Sequence, residues 1–264
     1  MSEAFADTAA SSTDKPPRRR WRLPLAVKMC VVLLVLLTIA GGWIIWRGYR
    51  QLAAIEQIER SKSNGFKGEV KCEPIGPAWL RGQMGADRMR MFDRVTDVGC
   101  YLESPNPELF REIGNWSDVV RLQIILGETH ETEFFEVNTL ADFQQLQSER
   151  AEQNRETETG FKHLRRLTQL KRLSFQGLSV TDRELDALEN FPNLTHLSFE
   201  FTPITDATAR HFSKLKKLEV LRISETLITD EGLGHISGLN QLKTLDLRRT
   251  SITDAGLKHL QALT

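Results

Sequence analysis

The C-terminal part of the chain reads LKRLSFQGLSVTDRELDALENFPN (170–193), LTHLSFEFTPITDATARHFSKLKK (194–217), LEVLRISETLITDEGLGHISGLNQ (218–241) and LKTLDLRRTSITDAGLKHLQALT (242–264). Cut at Leu170, Leu194, Leu218 and Leu242, the segments share a period of 24 residues, and each column holds one chemistry. Leu173, Leu197, Leu221 and Leu245 form one column, and Phe175, Phe199, Ile223 and Leu247 the next. Val180, Ile204, Ile228 and Ile252 follow, then Asp182, Asp206, Asp230 and Asp254. A fixed period of this size marks a stack of supersecondary units. The L-x-L alternation at the head of each segment is a strand with its apolar residues on one face, and the later L-x-x-L spacing is a short helical run with one apolar stripe. One unit has too few inward side chains to offset the entropy of ordering its chain, so the units must stack.

The motif T-x-I-T-D-x-G-L stands at Thr226-Leu227-Ile228-Thr229-Asp230-Glu231-Gly232-Leu233 and again at Thr250-Ser251-Ile252-Thr253-Asp254-Ala255-Gly256-Leu257. It resembles the leucine-rich-repeat family, in the class with Thr or Cys in place of Asn in the turn. Such repeats occur in bacterial surface proteins and in substrate-receptor subunits of eukaryotic ubiquitin ligases. The resemblance implies an α/β solenoid, with a parallel β-sheet on the concave face and short helices on the convex face, and recognition of a protein on the sheet. The segment at 170–193 departs from it, with Leu178 in the Thr column and Arg183-Glu184 in the x-Gly positions.

The same frame extends upstream. Val95, Val98 and Cys100 are followed 24 residues later by Val119, Leu122 and Ile124, and Phe110, Ile113 and Trp116 fall on the helical stripe. The 51 residues from Val119 to Leu170 leave space for a third degenerate unit, with Phe134, Val137, Leu140, Phe143 and Leu146 inward. Its tail at 147–160 has few apolar residues and is expected to bulge out as a polar insertion. Gly160-Phe161-Lys162-His163-Leu164 matches Gly256-Leu257-Lys258-His259-Leu260 four periods on. Ahead of these, Glu69 to Glu73 reads as a strand and Ala78-Trp79-Leu80 as part of a short helix, together a cap.

Near the N-terminus, Met29 to Trp46 carries no charge, and Leu25 to Val27 extend the apolar run past Lys28. A helix of that length crosses a hydrocarbon core of about 30 Å. Trp21, Trp43 and Trp46 stand near its ends, where indoles favour the interface. Lys15, Arg18, Arg19, Arg20, Arg22 and Lys28 precede the span, against Arg47, Arg50, Arg60 and Lys62 after it, which places the N-terminus in the cytoplasm. The run continues past Thr38-Ile39-Ala40-Gly41-Gly42 into Trp43 and Ile44, so a signal-anchor is expected in place of a cleaved signal peptide. Leu52, Ile55 and Ile58 prolong the helix as a stalk until Ser63-Asn64-Gly65.

Lys plus Arg and Asp plus Glu each number 35, so no net field favours nucleic acid as a partner. Neither a catalytic motif nor a zinc pattern is present, so no enzyme activity, metal or cofactor is expected. The Asp column is read as helix capping in preference to a cation ladder. The column of His163, His211, His235 and His259 is read as a solvated face in preference to a metal or pH site. Cys72 and Cys100 stand as separate thiols or as a bridge across the cap, with the separate thiols preferred.

Residues alternating with the inward ones are free of packing duties and are the expected binding surface: Arg172, Ser174 and Gln176, then His196, Ser198 and Glu200, then Val220, Arg222 and Ser224, then Thr244, Asp246 and Arg248. Phe201 follows its strand as an apolar anchor. The charges change sign from strand to strand, which points to a mixed protein surface. The organisation expected is a disordered cytoplasmic tail (1–24), a transmembrane helix (25–46), a juxtamembrane helical stalk (47–65), an N-terminal cap (66–92), degenerate repeats with a polar insertion (93–160) and regular repeats (161–264). The function expected is a single-pass membrane protein with an extracytoplasmic solenoid that binds a protein or peptide ligand. The rival reading is a structural spacer in a membrane complex. The frame also leaves Leu245, Leu247, Ile252 and Leu257 without a following unit, so fraying or self-association is expected at that end.

Overall fold

A computed structural model describes residues 25–63, 66–102, 106–126, 161–177, 182 and 184–263. The expected tail (1–24), the inward set Phe134, Val137, Leu140, Phe143 and Leu146, the polar insertion at 147–160, and Val180 and Thr181 lie outside the described residues. The chain divides into two units, Met1–Ile45 and Trp46–Thr264.

The first unit contributes the start of α1 (Leu25–Arg60). From Met29 the helix is long and apolar enough to cross a membrane by length and composition, and none of its apolar window is buried. Side chains such as Leu34 and Ile39 are more than half exposed.

The second unit is built on a sheet of seven strands: β3 (Glu69–Glu73), β4 (Arg94–Leu102), β5 (Arg121–Leu126), β6 (Arg172–Gln176), β7 (His196–Glu200), β8 (Val220–Ser224) and β9 (Thr244–Asp246), bonded in that order. A small antiparallel pair, β1 (Lys62–Ser63) and β2 (Phe66–Lys67), precedes it. The strand β3 runs antiparallel to β4, and every later pair is parallel. The parallel ladder keeps the register of the repeat, with Leu173 beside Leu197, Leu197 beside Leu221 and Leu221 beside Leu245. Upstream, Val98 stands beside Leu122 and Cys100 beside Ile124, as the sequence frame requires.

Between β5 and β6 the outcome differs from the expected third unit. Leu122 is paired directly with Leu173 and Ile124 with Phe175, so the ladder has no place for a further strand there. The backbone groups of β5 on that side are satisfied by β6.

Short helices connect the strands: α2 (Ala78–Met84) and α3 (Ala86–Met89) between β3 and β4 and, behind the sheet, α4 (Pro107–Ile113), α5 (Asp206–Phe212), α6 (Asp230–Gly234) and α7 (Asp254–Leu257). Short 3₁₀ runs cover Glu184–Asn190 and Lys258–Ala262. The core lies between the sheet and this layer: Leu173, Leu197 and Leu221 are at most 2% exposed, as are Phe175, Phe199 and Ile223. Four consecutive ring contacts, Phe110 to Phe161, Phe161 to Phe175, Phe175 to Phe199 and Phe199 to Phe212, run through it with centroids 4.9–6.1 Å apart. In the segment from Leu242 the same columns, Leu245, Leu247 and Ile252, are only partly buried, and Leu257 is 47% exposed.

The Thr-Asp dipeptide of each unit divides two tasks. Thr205, Thr229 and Thr253 are the N-caps, accepting from Ala207, Glu231 and Ala255 backbone N–H. The aspartates, expected as caps, instead join one unit to the next. Asp206 accepts from Thr229 N at 2.9 Å and Thr229 Oγ1 at 2.7 Å. Asp182 does the same with Thr205 and Asp230 with Thr253. The Gly of the motif makes room for this carboxylate, since a Cβ on Gly232 would lie 2.2 Å from Asp206 Oδ1, and one on Gly256 2.2 Å from Asp230 Oδ1. Where Thr208 occupies that column, its hydroxyl joins the cluster by donating to Asp182. The other threonines of the motif, Thr226 and Thr250, donate to the carbonyls of Ile223 and Leu247 three residues back.

The helix expected as a stalk is part of the core. Ile55 and Ile58 are fully buried and Ala54 nearly so. Gln51 donates to the carbonyls of Arg90 and Asp93 at 2.9 and 2.8 Å, and Arg90 grips Glu59 with two bonds. The periodicity of Leu52, Ile55 and Ile58 is therefore that of a helix covering the first edge of the stack, which supplies the terminal cover a solenoid needs.

Candidate functional site: the open face of the sheet

Inward residues of β5 to β8 are occupied by packing, so the side chains on the other face make the surface. They form a depression of about 510 Å³ lined by Arg121, Gln123, Arg172, Ser174, His196, Ser198, Glu200, Val220, Arg222 and Thr244, with the backbone edges of Leu122, Leu173 and Leu197. Parallel pairing brings these residues side by side: Arg121 is the partner of Arg172, Arg172 of His196 and His196 of Val220, while Gln123, Ser174, Ser198 and Arg222 follow in the next row. Neighbouring strands stand about 4.8 Å apart.

The charge of this floor is uneven. Three arginines, Arg121, Arg172 and Arg222, face one carboxylate, Glu200, among the lining residues. Arg121 lies 3.2 Å from Asp97, and Glu200 accepts a bond from Ser198 Oγ at 3.2 Å. Arg172 and Arg222 are exposed and make no ion pair among the described residues. His196 sits between them, its Nδ1 2.9 Å from Thr195 Oγ1. Burial, and then the positive charge of Arg172, Arg222 and Arg121, pull its imidazole below the usual histidine range, with Glu219 opposing.

The residues expected for the surface separate into four groups. Arg172, Ser174, His196, Ser198, Glu200, Val220, Arg222 and Thr244 line the depression together. Ser224 is buried and Gln176 stands outside the lining. Asp246 and Arg248 lie at the far end and bind each other, with Arg248 Nη2 2.7 Å from Asp246 Oδ2, which holds the carboxyl below its ordinary value. Phe201 is half-buried in a turn with φ of 53°, in a column with Glu225 (56°), Arg249 (52°) and Gly177 (117°). That column turns the chain from strand to loop in a conformation that glycine adopts most readily. Arg121 and Gln123 were readable in the sequence as the residues alternating with Leu122 and Ile124, in the frame already recovered for that strand.

The competing sites take ordinary structural roles. In the Asp column, Asp182, Asp206 and Asp230 are occupied by threonine donors. His211 lies 3.2 Å from Asp186 and 2.9 Å from Glu189 on the convex face, and the His259 ring stands beside Gly234. Among the described residues, no group of three or more His, Cys, Asp or Glu is placed to hold a metal. Cys72 pairs with Val95 across β3 and β4, so Cys100 stands about 17 Å further along at about 3.4 Å per residue. A bridge between them is excluded, since a disulfide needs Cα atoms within about 7 Å. Both are free thiols, and burial pushes that of Cys100 up to about 12.

Residues 192–252 match the family model for the leucine rich repeat. No curated protein matches the chain. Among solved structures, it is similar to an internalin C2 of Listeria monocytogenes at 12% identity and a TM-score of 0.37, over 81% of this chain and 88% of that one. It is also similar to an internalin of the same organism at 15% identity and a TM-score of 0.26, over 58% of this chain and 48% of that one. Those scores are too low to carry more than a likeness. The match over residues 192–252 and the parallel ladder of β6 to β9 in the register of the repeat agree, and that part of the chain is a stack of leucine-rich repeats.

Proposed function

We propose that the protein is a membrane-anchored recognition module that holds an acidic protein segment in the open face of its sheet. The observation that carries this reading is the pair Arg172 and Arg222, exposed on the floor of a depression and making no ion pair among the described residues, although Asp246 stands beside Arg222 on the next strand. Arginine presents a planar fork suited to carboxylates, and side chains that do not pack the core are free to recognise. Arg121 adds a third fork with its own partner 3.2 Å away. Arginines outnumber carboxylates among the residues that line the depression.

The anchor is the apolar stretch of α1 from Met29, whose side chains have no protein cover. A patch of that size needs an apolar environment. The basic residues ahead of it favour a cytoplasmic N-terminus and an extracytoplasmic solenoid. Binding in place of catalysis is supported by the use of the candidate carboxylates and histidines in structural contacts.

The test uses the full chain in nanodiscs, probed with extended peptides of graded charge. Acidic peptides bind and basic ones do not, and both Arg172→Glu and Arg222→Glu lower acidic-peptide affinity at least tenfold. Equal binding by wild type and both variants contradicts the assignment.

A further inference from the structure

Of the residues that line the depression, His196 is the one whose ordinary range lets it change charge between about pH 5 and 8. The ladder sets Arg172 of β6 on one side of it and Val220 of β8, which carries no charge, on the other. Arg121 of β5 stands beyond Arg172, and Arg222 follows Val220 by two residues and so shares its face. The carboxylates around the ring are engaged elsewhere. Glu219, next to Val220, lies 3.0 Å from Lys243. Glu200, on the same strand as His196, accepts from Ser198, and Asp246 of β9 binds Arg248.

The contact that holds the ring does not fix its charge. His196 Nδ1 lies 2.9 Å from Thr195 Oγ1, and a hydroxyl donates to a bare nitrogen or accepts from a protonated one. In the second case its own proton has the Lys171 carbonyl as an acceptor, 3.1 Å away. A carboxylate in that place would instead favour the charged ring. What disfavours the charge is burial and then the arginines, which together hold the imidazole below its usual range. An anion lying on this floor reverses the second effect, because it offsets the arginine charge and adds its own attraction.

We propose that the open face takes up a proton at His196 when it binds an acidic segment, so that the segment is held more tightly as the pH falls from about 8 to about 5. The proposal rests on the reading of this face as the place where an acidic partner binds. Proton and segment favour each other's binding by the same factor, since the coupling is reciprocal. An opposite charge within about 4–6 Å moves a pKa by about one unit or more, and one unit is up to about tenfold in affinity. Aspartates of the ligand, with an ordinary value of about 3.9, stay charged across this window.

The experiment uses the full chain in phosphatidylcholine nanodiscs, titrated calorimetrically with a synthetic peptide of alternating aspartate and serine. Titrations run from about pH 8 to about pH 5 in paired buffers of different ionisation enthalpy, and circular dichroism at each pH gives the folded fraction. Affinity is expected to rise about fivefold or more across the window, with net proton uptake on binding near pH 6. In His196→Gln the rise and the uptake are both lost. A wild-type affinity that does not change with pH, or a rise that persists in His196→Gln, overturns the coupling and leaves the acid-binding reading intact. No binding at any pH overturns both. Should His196→Gln lose its wild-type circular dichroism, His196→Asn takes its place, and binding by the wild type without proton uptake refutes the coupling by itself.

Discussion

Replacing Gly232 by alanine tests how successive units are joined. The new methyl would stand 2.2 Å from Asp206 Oδ1 and 2.7 Å from Ile228 Cγ2, and neither neighbour has slack, because Ile228 is fully buried and Asp206 is pinned by Thr229 N and Oγ1. The carboxylate must leave its two donors. Hydrogen bonds to a charged acceptor contribute about 1.5 kcal/mol each at the low end, so the loss is roughly 3 kcal/mol. Alanine regains about 1 kcal/mol of helix propensity in α6, leaving a net destabilisation of roughly 2 kcal/mol. Asp206→Ala alone is expected to cost about 3 kcal/mol. In the double variant the carboxylate is already gone and the propensity gain remains, so its cost is roughly 2 kcal/mol against a sum of roughly 5, and a coupling of about 3 kcal/mol appears in the cycle. Gly238→Ala is the control, since its Cβ would meet only Lys216 Nζ at 3.6 Å. Guanidinium denaturation of the full chain in mild detergent, followed by far-UV circular dichroism, measures all four proteins. Additive losses for Gly232→Ala and Asp206→Ala would refute the claim that the glycine exists to admit the carboxylate of the preceding unit.

Leu221→Asp is expected to destabilise by more than about 4 kcal/mol and Arg222→Asp by less than about 0.5, because the first buries an unpaired charge and the second is exposed; equal midpoints in the same denaturation assay would refute the register. Acidification should weaken the fold through His196. Its folded value is lowered, so the unfolded chain takes up the proton first, and stability present above about pH 6.5 is lost as pH falls through the folded value. His196→Gln should flatten the pH dependence of the denaturation midpoint in that window, and an unchanged slope contradicts it. Amides of β9 and α7 should exchange faster than those of β7 and α5, since the columns around Leu245 are only partly covered, as mass-detected hydrogen exchange on the full chain would show.

The repeat was legible because one period fixes both strand register and buried columns: Leu197 beside Leu221 follows from counting 24 residues. The same counting failed between β5 and β6. A 51-residue interval is compatible with an extra unit or with one long connection, and only the pairing of Leu122 with Leu173 distinguishes them. The role of residues 46–60 was hidden for a different reason. Leu52, Ile55 and Ile58 announce an apolar stripe, but a stripe does not say what covers it, and the partner surface comes from residues far along the chain. The Thr-Asp pair was recognised as a capping signal, yet the division of labour needs the neighbouring unit in space. On the candidate surface, the alternation rule placed eight of the expected residues in one depression. It could not show which of the charges pair with one another, since the mutual neutralisation of Asp246 and Arg248 is a fact of geometry.

The central claim, that the open face of the sheet is where a partner binds, is tested most directly by site-specific photocrosslinking in native membranes. A photoreactive amino acid is placed in the full chain at Ser198 or Arg222 on the floor, and at Arg210 or Lys216 on the exposed convex side. Light-dependent adducts of one discrete mass are expected from the two floor positions, lost when Arg172→Glu is added, and none from the convex positions. Adducts that arise from Arg210 or Lys216 while Ser198 and Arg222 stay unreacted would contradict the claim.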